Sequence, residues 1–228
     1  MKRTAWIAFY ISLIALFFYL DLHKFISLDS LKHYRADMLA FVDSHPLISA
    51  LLYVILYASL IALSVPGGSA MTITGGFLFG ALWGMGLAVT AATLGATGIF
   101  FLVQTTFGKP LKARAGPWLK KMSAGFQENA FSYLLILRLV PLFPFFVVNL
   151  VPGLLGVSTR VYILATAIGI VPGTYVLSSF GTGIGQIIDS GSEISTKGIL
   201  TPEIVTALIG LAILSLLPVI YKKYKNKR

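Results

Sequence analysis

Long apolar runs, broken at a few points by proline and glycine, set the pattern of this chain. Residues 4–20, 46–65, 77–107, 159–180 and a last run that Glu203 and Ile204 lead into and that ends near Tyr221 are almost free of charge. About 20 apolar residues cross a hydrocarbon core, so these runs predict spanning or membrane-inserted helices. Residues 21–45 differ, mixing four Asp with Lys24, Lys32 and Arg35. From Asp29 onward Leu31, Tyr34, Met38, Leu39 and Phe41 recur at helical spacing, which predicts an amphipathic helix capped by Asp29 or Ser30 on the outer membrane surface.

Two apolar stretches are interrupted within themselves. In the first, the run from Pro46 meets Pro66, Gly67 and Gly68 and passes through SAMTIT to Gly75 and Gly76 before a helix resumes at about Phe77. In the second, residues 138–156 read RLVPLFPFFVVNLVPGLLG. Proline removes a backbone donor and clashes with the preceding turn, so Pro141, Pro144 and Pro152 do not fit inside one straight helix. Non-helical backbone persists in a bilayer only where protein or a water-filled cavity satisfies it, so each break predicts a re-entrant hairpin lining a site. Ser69, Thr72 and Thr74 would supply hydroxyls to the first break. Asn149 would either satisfy backbone freed by Pro152 or touch a ligand.

Composition excludes a soluble domain: 57% of residues are hydrophobic and 11% charged, against about 25% charged in soluble proteins. The absence of cysteine excludes disulfides and thiolate chemistry. The net charge of +10 resolves into a topology. Thirteen basic residues against Glu128 fall at the two termini, in the middle segment 108–127 and at Arg160, whereas four basic residues meet seven acids elsewhere. By the positive-inside rule the termini and the middle segment are cytoplasmic, and residues 4–20 form a signal anchor. The expected location is a bacterial plasma (inner) membrane. The basic balance is therefore no nucleic-acid footprint.

Residues 46–107 and 126–185 each hold a broken segment followed by a small-residue span, one entering from outside and one from inside. Gly76 to Gly80 and Gly153 to Gly156 occupy matching places. The fold class read from this is all-α and polytopic: an inverted repeat of two re-entrant hairpins, each followed by a spanning helix, between an N-terminal and a C-terminal transmembrane helix. The chain divides into 1–45, a core of 46–185, and 186–228. Gly76, Gly80 and Gly84, and likewise Ala165, Gly169 and Gly173, have the spacing of close helix crossings, and Pro172 predicts a kink.

Three motifs, PGGSAMTITGGFLFGALWG, RLVPLFPFFVVNLVPGLLGV and YILATAIGIVPGTYVLSSFG, occur in an order that resembles the DedA superfamily, also called the SNARE-associated Golgi protein or VTT-domain family. The resemblance covers about residues 46 to 185. It implies two inverted hairpins and a role in lipid translocation, of polyprenyl-phosphate or aminophospholipid in bacteria and of phospholipid in eukaryotes. Arg138 matches the arginine opening the family's second hairpin motif; Pro141, Pro144, Asn149 and Gly153 match its proline, asparagine and glycine positions. Pro66, Gly75, Gly76 and Gly80 match the first motif. Gln104 stands where many members carry arginine, and a helix-to-helix hydrogen bond is its other reading. No Asp or Glu lies between Asp43 and Glu128, so the residues of proton-driven transport are absent from the first hairpin.

Arg138 cannot shed its proton and costs about 2.5–3.5 kcal/mol or more at a bilayer centre. Its candidate partners are backbone carbonyls, cavity water or a substrate phosphate, which its planar fork suits. Snorkelling to the interface or capping a carbonyl is the structural alternative. No His, Cys, Asp or Glu falls in a predicted span or hairpin, so neither an intramembrane enzyme nor a metal site is expected. The expected partners are membrane lipids with an anionic phosphate headgroup; no cofactor is expected and a homo-oligomer is left open. The expected function is a lipid transporter or flippase, and the alternative is a non-transporting scaffold that packs through its glycines.

Overall fold

A computed structural model describes residues 28–63, 67–104, 108–139, 145–189, 205 and 209, and among these the protein is all-helical with no strand. The expected spans at 4–20 and beyond 203, and with them Pro66, Pro141 and Pro144, lie outside the described residues. Seven helices are α1 Leu28–Ser44, α2 Pro46–Ala62, α3 Gly68–Phe79, α4 Ala81–Leu102, α5 Gly108–Leu139, α6 Phe145–Leu154 and α7 Thr159–Asp189. They fall into two compact units, Met1–Pro46 and Leu47–Arg228.

The first unit contains α1, which begins at Leu28, ahead of the cap expected at Asp29 or Ser30. Its apolar Tyr34, Met38 and Phe41 are exposed while Arg35 is buried. A helix is thus present over the segment where one was expected.

In the second unit α2 and α3 run antiparallel, because Tyr57 donates to Gly68 O at 2.9 Å and Tyr53 to Met71 O at 2.8 Å. Two phenol hydroxyls thereby satisfy carbonyls of the neighbouring helix. Gly80 then reverses the chain at φ 79°, a left-handed conformation that suits glycine. The fold-back is sharp enough to bring Gly75 and Gly84 into backbone contact: a Cβ on Gly84 would stand 2.5 Å from Gly75 C.

The second half contains α5, α6 and α7. Helix α5 is bent at Asn129, whose φ of −157° and ψ of 92° are extended. Asn129 Oδ1 accepts from Ser132 N at 3.0 Å, which caps the arm 130–139 and contributes about 1 kcal/mol. This arm packs on α6. Gly156, at φ 74°, ends α6 with paired bonds, Val157 N to Pro152 O at 3.0 Å and Gly156 N to Gly153 O at 3.3 Å. Each half thus ends in a left-handed glycine followed by a long apolar helix.

Those two helices, Ala81–Leu102 and Thr159–Asp189, are long and apolar enough to cross a membrane. They run antiparallel: Phe100 of α4 stacks on Tyr162 of α7 at 4.1 Å, while at the other end Ser178 Oγ donates to Gly80 O at 3.5 Å. Alanines and glycines set the close approach. A Cβ on Gly76 would collide with Ser178 O, one on Gly181 with Ile73 O, and one on Gly95 with Ala58 O.

Several boundaries differ from those read off the pattern. Residues 68–76, expected to be non-helical, lie inside α3, and Thr72 and Thr74 bond to carbonyls four residues back within that helix, Gly68 O at 3.0 Å and Ala70 O at 2.9 Å. Intrahelical bonding absorbed the groups that the break would have freed, and the reversal moved to Gly80. The basic segment 108–127 is helical rather than a loop. Helix α7 continues through Pro172 and past Gly181 to Asp189, because its glycines are buried against α3 rather than exposed to water.

Candidate functional site

Arg138 lies on the last turn of the capped arm 130–139, with its stem laid against α7 at Gly169. A Cβ at Gly169 would stand 2.6 Å from Arg138 Cβ and 3.3 Å from Arg138 Cγ, so only glycine lets the stem lie there. The guanidinium then turns toward the start of α7. Its Nε donates to Thr166 Oγ1 at 3.2 Å and its Nη2 donates to Tyr162 Oη at 3.0 Å. Tyr162, Thr166 and Gly169 are spaced i, i+4 and i+7, so one face of α7 forms the whole cradle.

The partners are neutral. No Asp or Glu occurs between Glu128 and Asp189 or between Asp43 and Glu128, and among the described residues no carboxylate meets Arg138. Each hydrogen bond to a charged donor contributes about 1.5–3 kcal/mol. That holds the side chain in place and leaves its charge uncompensated. No hydrogen bond occupies Nη1 among the described residues. The hydroxyls take the place of the backbone carbonyls that the sequence offered as partners.

Tyr162 is the hub of the cluster. Fully buried, it stacks on Phe100 at an interplanar angle of 18°, a contact worth about 0.5–1.5 kcal/mol beyond the area it covers. Its oxygen accepts from Arg138, and its one proton faces two acceptors, Ala96 O at 3.2 Å and Asn149 Oδ1 at 3.4 Å. One hydroxyl therefore joins α4, α5, α6 and α7. Asn149 is completely buried and, among the described residues, its Nδ2 has no hydrogen-bond partner. The amide faces Tyr162 rather than backbone freed by Pro152.

The sequence-expected residues separate into two places. Arg138, Asn149 and Gly153 belong to the Tyr162 cluster, Gly153 because a Cβ there would stand 3.2 Å from Phe100 O. Gln104 lies beside it, donating from Nε2 to Val157 O at 3.1 Å, the inter-element bond that was its other reading. Thr72, Gly75 and Gly76 lie elsewhere. Thr72 shares a 2.9 Å hydrogen bond with Tyr57 Oη, Gly75 meets Tyr53 and Gly84, and Gly76 meets Ser178. Ser69 is exposed. Ser178 is 12 residues beyond Thr166, about 18 Å along α7, so the first-half residues stand apart from Arg138.

Tyr162 and Thr166 were missed because a tyrosine and a threonine in an apolar helix read as packing. Their spacing with Gly169, a small and polar stripe on one helix face, was the available signal.

Helix α3, helix α4 and the Arg138 cradle fall inside one family profile, that of the VTT domain, which matches residues 65–183. The chain belongs to the VTT-domain family, the DedA or SNARE-associated Golgi protein family. It is 31% identical over 193 residues to Transmembrane protein 41 homolog of Dictyostelium discoideum, covering 82% of this chain and 56% of that protein. It is 26% identical to Transmembrane protein 41B of Xenopus tropicalis, covering 77% and 62%, and 27% identical to that of Homo sapiens, covering 77% and 60%. The chain thus spans 56–62% of the length of these VTT-domain relatives. No solved structure matches the chain significantly. Integral membrane character follows from the family and the apolar helices together.

Proposed function

We propose that this VTT-domain protein moves phosphate-headed lipids, phospholipid or polyprenyl-phosphate, across the bilayer. The observation that carries the proposal is the Arg138 guanidinium, held by Tyr162 and Thr166 with no carboxylate beside it among the described residues. A protein that needed this charge only for structure would gain by pairing it, whereas a lipid phosphate arriving at Nη1 would supply the missing counterion. In this reading the two halves are inverted re-entrant repeats, which the antiparallel α4 and α7 and the paired glycines Gly80 and Gly156 support. Bacterial inner-membrane residence and cytoplasmic termini belong to the same proposal.

The backbone contacts Gly76 to Ser178 and Gly181 to Ile73 pack α3 closely on α7. Alternating exposure therefore falls to the arm 130–139 and α6, which carry Arg138 and Asn149. The same contacts favour a second reading, a scaffold that transports nothing.

Reconstitution in liposomes decides between the two. Arg138→Ala is expected to abolish translocation of phosphatidylglycerol or polyprenyl-phosphate while the purified protein keeps its helix content and elution volume. Unchanged transport would remove the transport reading and leave the scaffold.

A further inference from the structure

The transport reading assigns a role to Arg138 alone. The geometry points further: we infer that Tyr162 and Thr166 are positioning residues, which orient the guanidinium so that Nη1 is the donor presented to a phosphate oxygen. This rests on the transport reading.

An arginine fork has five N–H donors on three nitrogens in one plane. Fixing two of the nitrogens fixes the plane. Thr166 Oγ1 takes Nε at 3.2 Å and Tyr162 Oη takes Nη2 at 3.0 Å, so both anchors lie along one edge of the fork and Nη1 is left over. The stem has no freedom to undo this arrangement, because Arg138 Cβ and Cγ are pressed on Gly169. The anchors are themselves buried. Tyr162 is fully buried and stacked on Phe100, and Thr166 is 1% exposed. The guanidinium carbon lies 5.6 Å from the Tyr162 ring centroid, near the outer limit of a cation–π contact, so the hydroxyl rather than the ring face is the anchor.

Neutral anchors also have a chemical consequence. Hydroxyls orient a guanidinium without neutralising it, whereas a carboxylate in either place would compete with the incoming phosphate. The cradle thus keeps the charge available and aims it.

The test separates positioning from packing. Thr166→Val keeps the side-chain volume and loses the hydroxyl; Thr166→Ser loses a methyl and keeps the hydroxyl. A packing role ranks Val above Ser, and a positioning role ranks Ser above Val. Translocation is measured in liposomes of phosphatidylcholine with increasing mole fractions of phosphatidylglycerol, and half-saturation is read separately from maximal rate. Thr166→Val and Tyr162→Phe are expected to raise half-saturation about tenfold, the loss of one charge-assisted hydrogen bond, while Thr166→Ser stays within about twofold of the parent. Should Tyr162→Phe fail to fold, the Thr166 pair decides alone. Parent-like half-saturation in Thr166→Val beside an inactive Arg138→Ala overturns the positioning role and leaves transport standing. Parent-like transport in Arg138→Ala overturns both.

Discussion

Gly169 presents no side chain to Arg138, and the arginine stem occupies the space where a Cβ would stand, 2.6 Å from Arg138 Cβ. The glycine and the arginine are thus one device: the first makes the room in which the second can turn toward Tyr162. Gly169→Ala is expected to push the stem off α7, costing about 1–3 kcal/mol from the enforced shift. A thermal melt in detergent reports the loss, and transport should fall with it. A melting temperature equal to the parent's would show that the stem does not lie on this glycine.

Gly76 on α3 and Gly173 on α7 differ in what they face. Gly76 abuts Ser178 O, whereas a Cβ at Gly173 would meet nothing within 4 Å. Gly76→Ala is expected to prevent the α3–α7 crossing and yield little folded protein. Gly173→Ala is expected to be neutral or to stabilise by up to about 1 kcal/mol, the helix-propensity difference. Yield and melting temperature of the two variants, measured side by side, check the contrast.

Asn149→Asp would introduce a carboxylate one hydrogen bond from the hydroxyl that holds Arg138. The pair would be internally neutralised. Lipid translocation should drop at least about tenfold while the melting temperature holds, since the new charge finds a cation nearby. Undiminished transport at full folding would mean that the positive charge of this cluster has no part in it.

Gly80 sits at φ 79° with open space around its Cα, so strain rather than collision limits substitution. Gly80→Ala should cost about 1–3 kcal/mol, because φ 79° with ψ 171° is a region that essentially only glycine occupies. A denaturant titration of the α-helical signal measures it. Gly156→Ala, at φ 74°, should behave alike, and a large difference between them would separate the two halves physically.

Much of this architecture was readable along the chain. The apolar runs that became α2, α4 and α7 are set by water's exclusion of hydrocarbon, a property of local composition. The matched positions of Gly80 and Gly156 were readable as symmetry, whereas their positive φ angles emerged only in the fold. Arg138 stood out because an unpaired charge in an apolar run is costly wherever it folds.

Pairing was not readable in the same way. Which residue accepts from Arg138 depends on what α7 brings across 24 and 28 residues of intervening chain, and nothing local to Tyr162 or Thr166 marks either as a partner. The end of the helix at Gly181 was misplaced for the same reason: an isolated Gly/Ser-rich stretch favours a loop, but burial against Ile73 rewards a helix. Composition thus settled which segments leave water and where a charge must be accommodated. Packing of distant helices settled what accommodates it, because a hydroxyl becomes an anchor only when another element is held within hydrogen-bond reach of it.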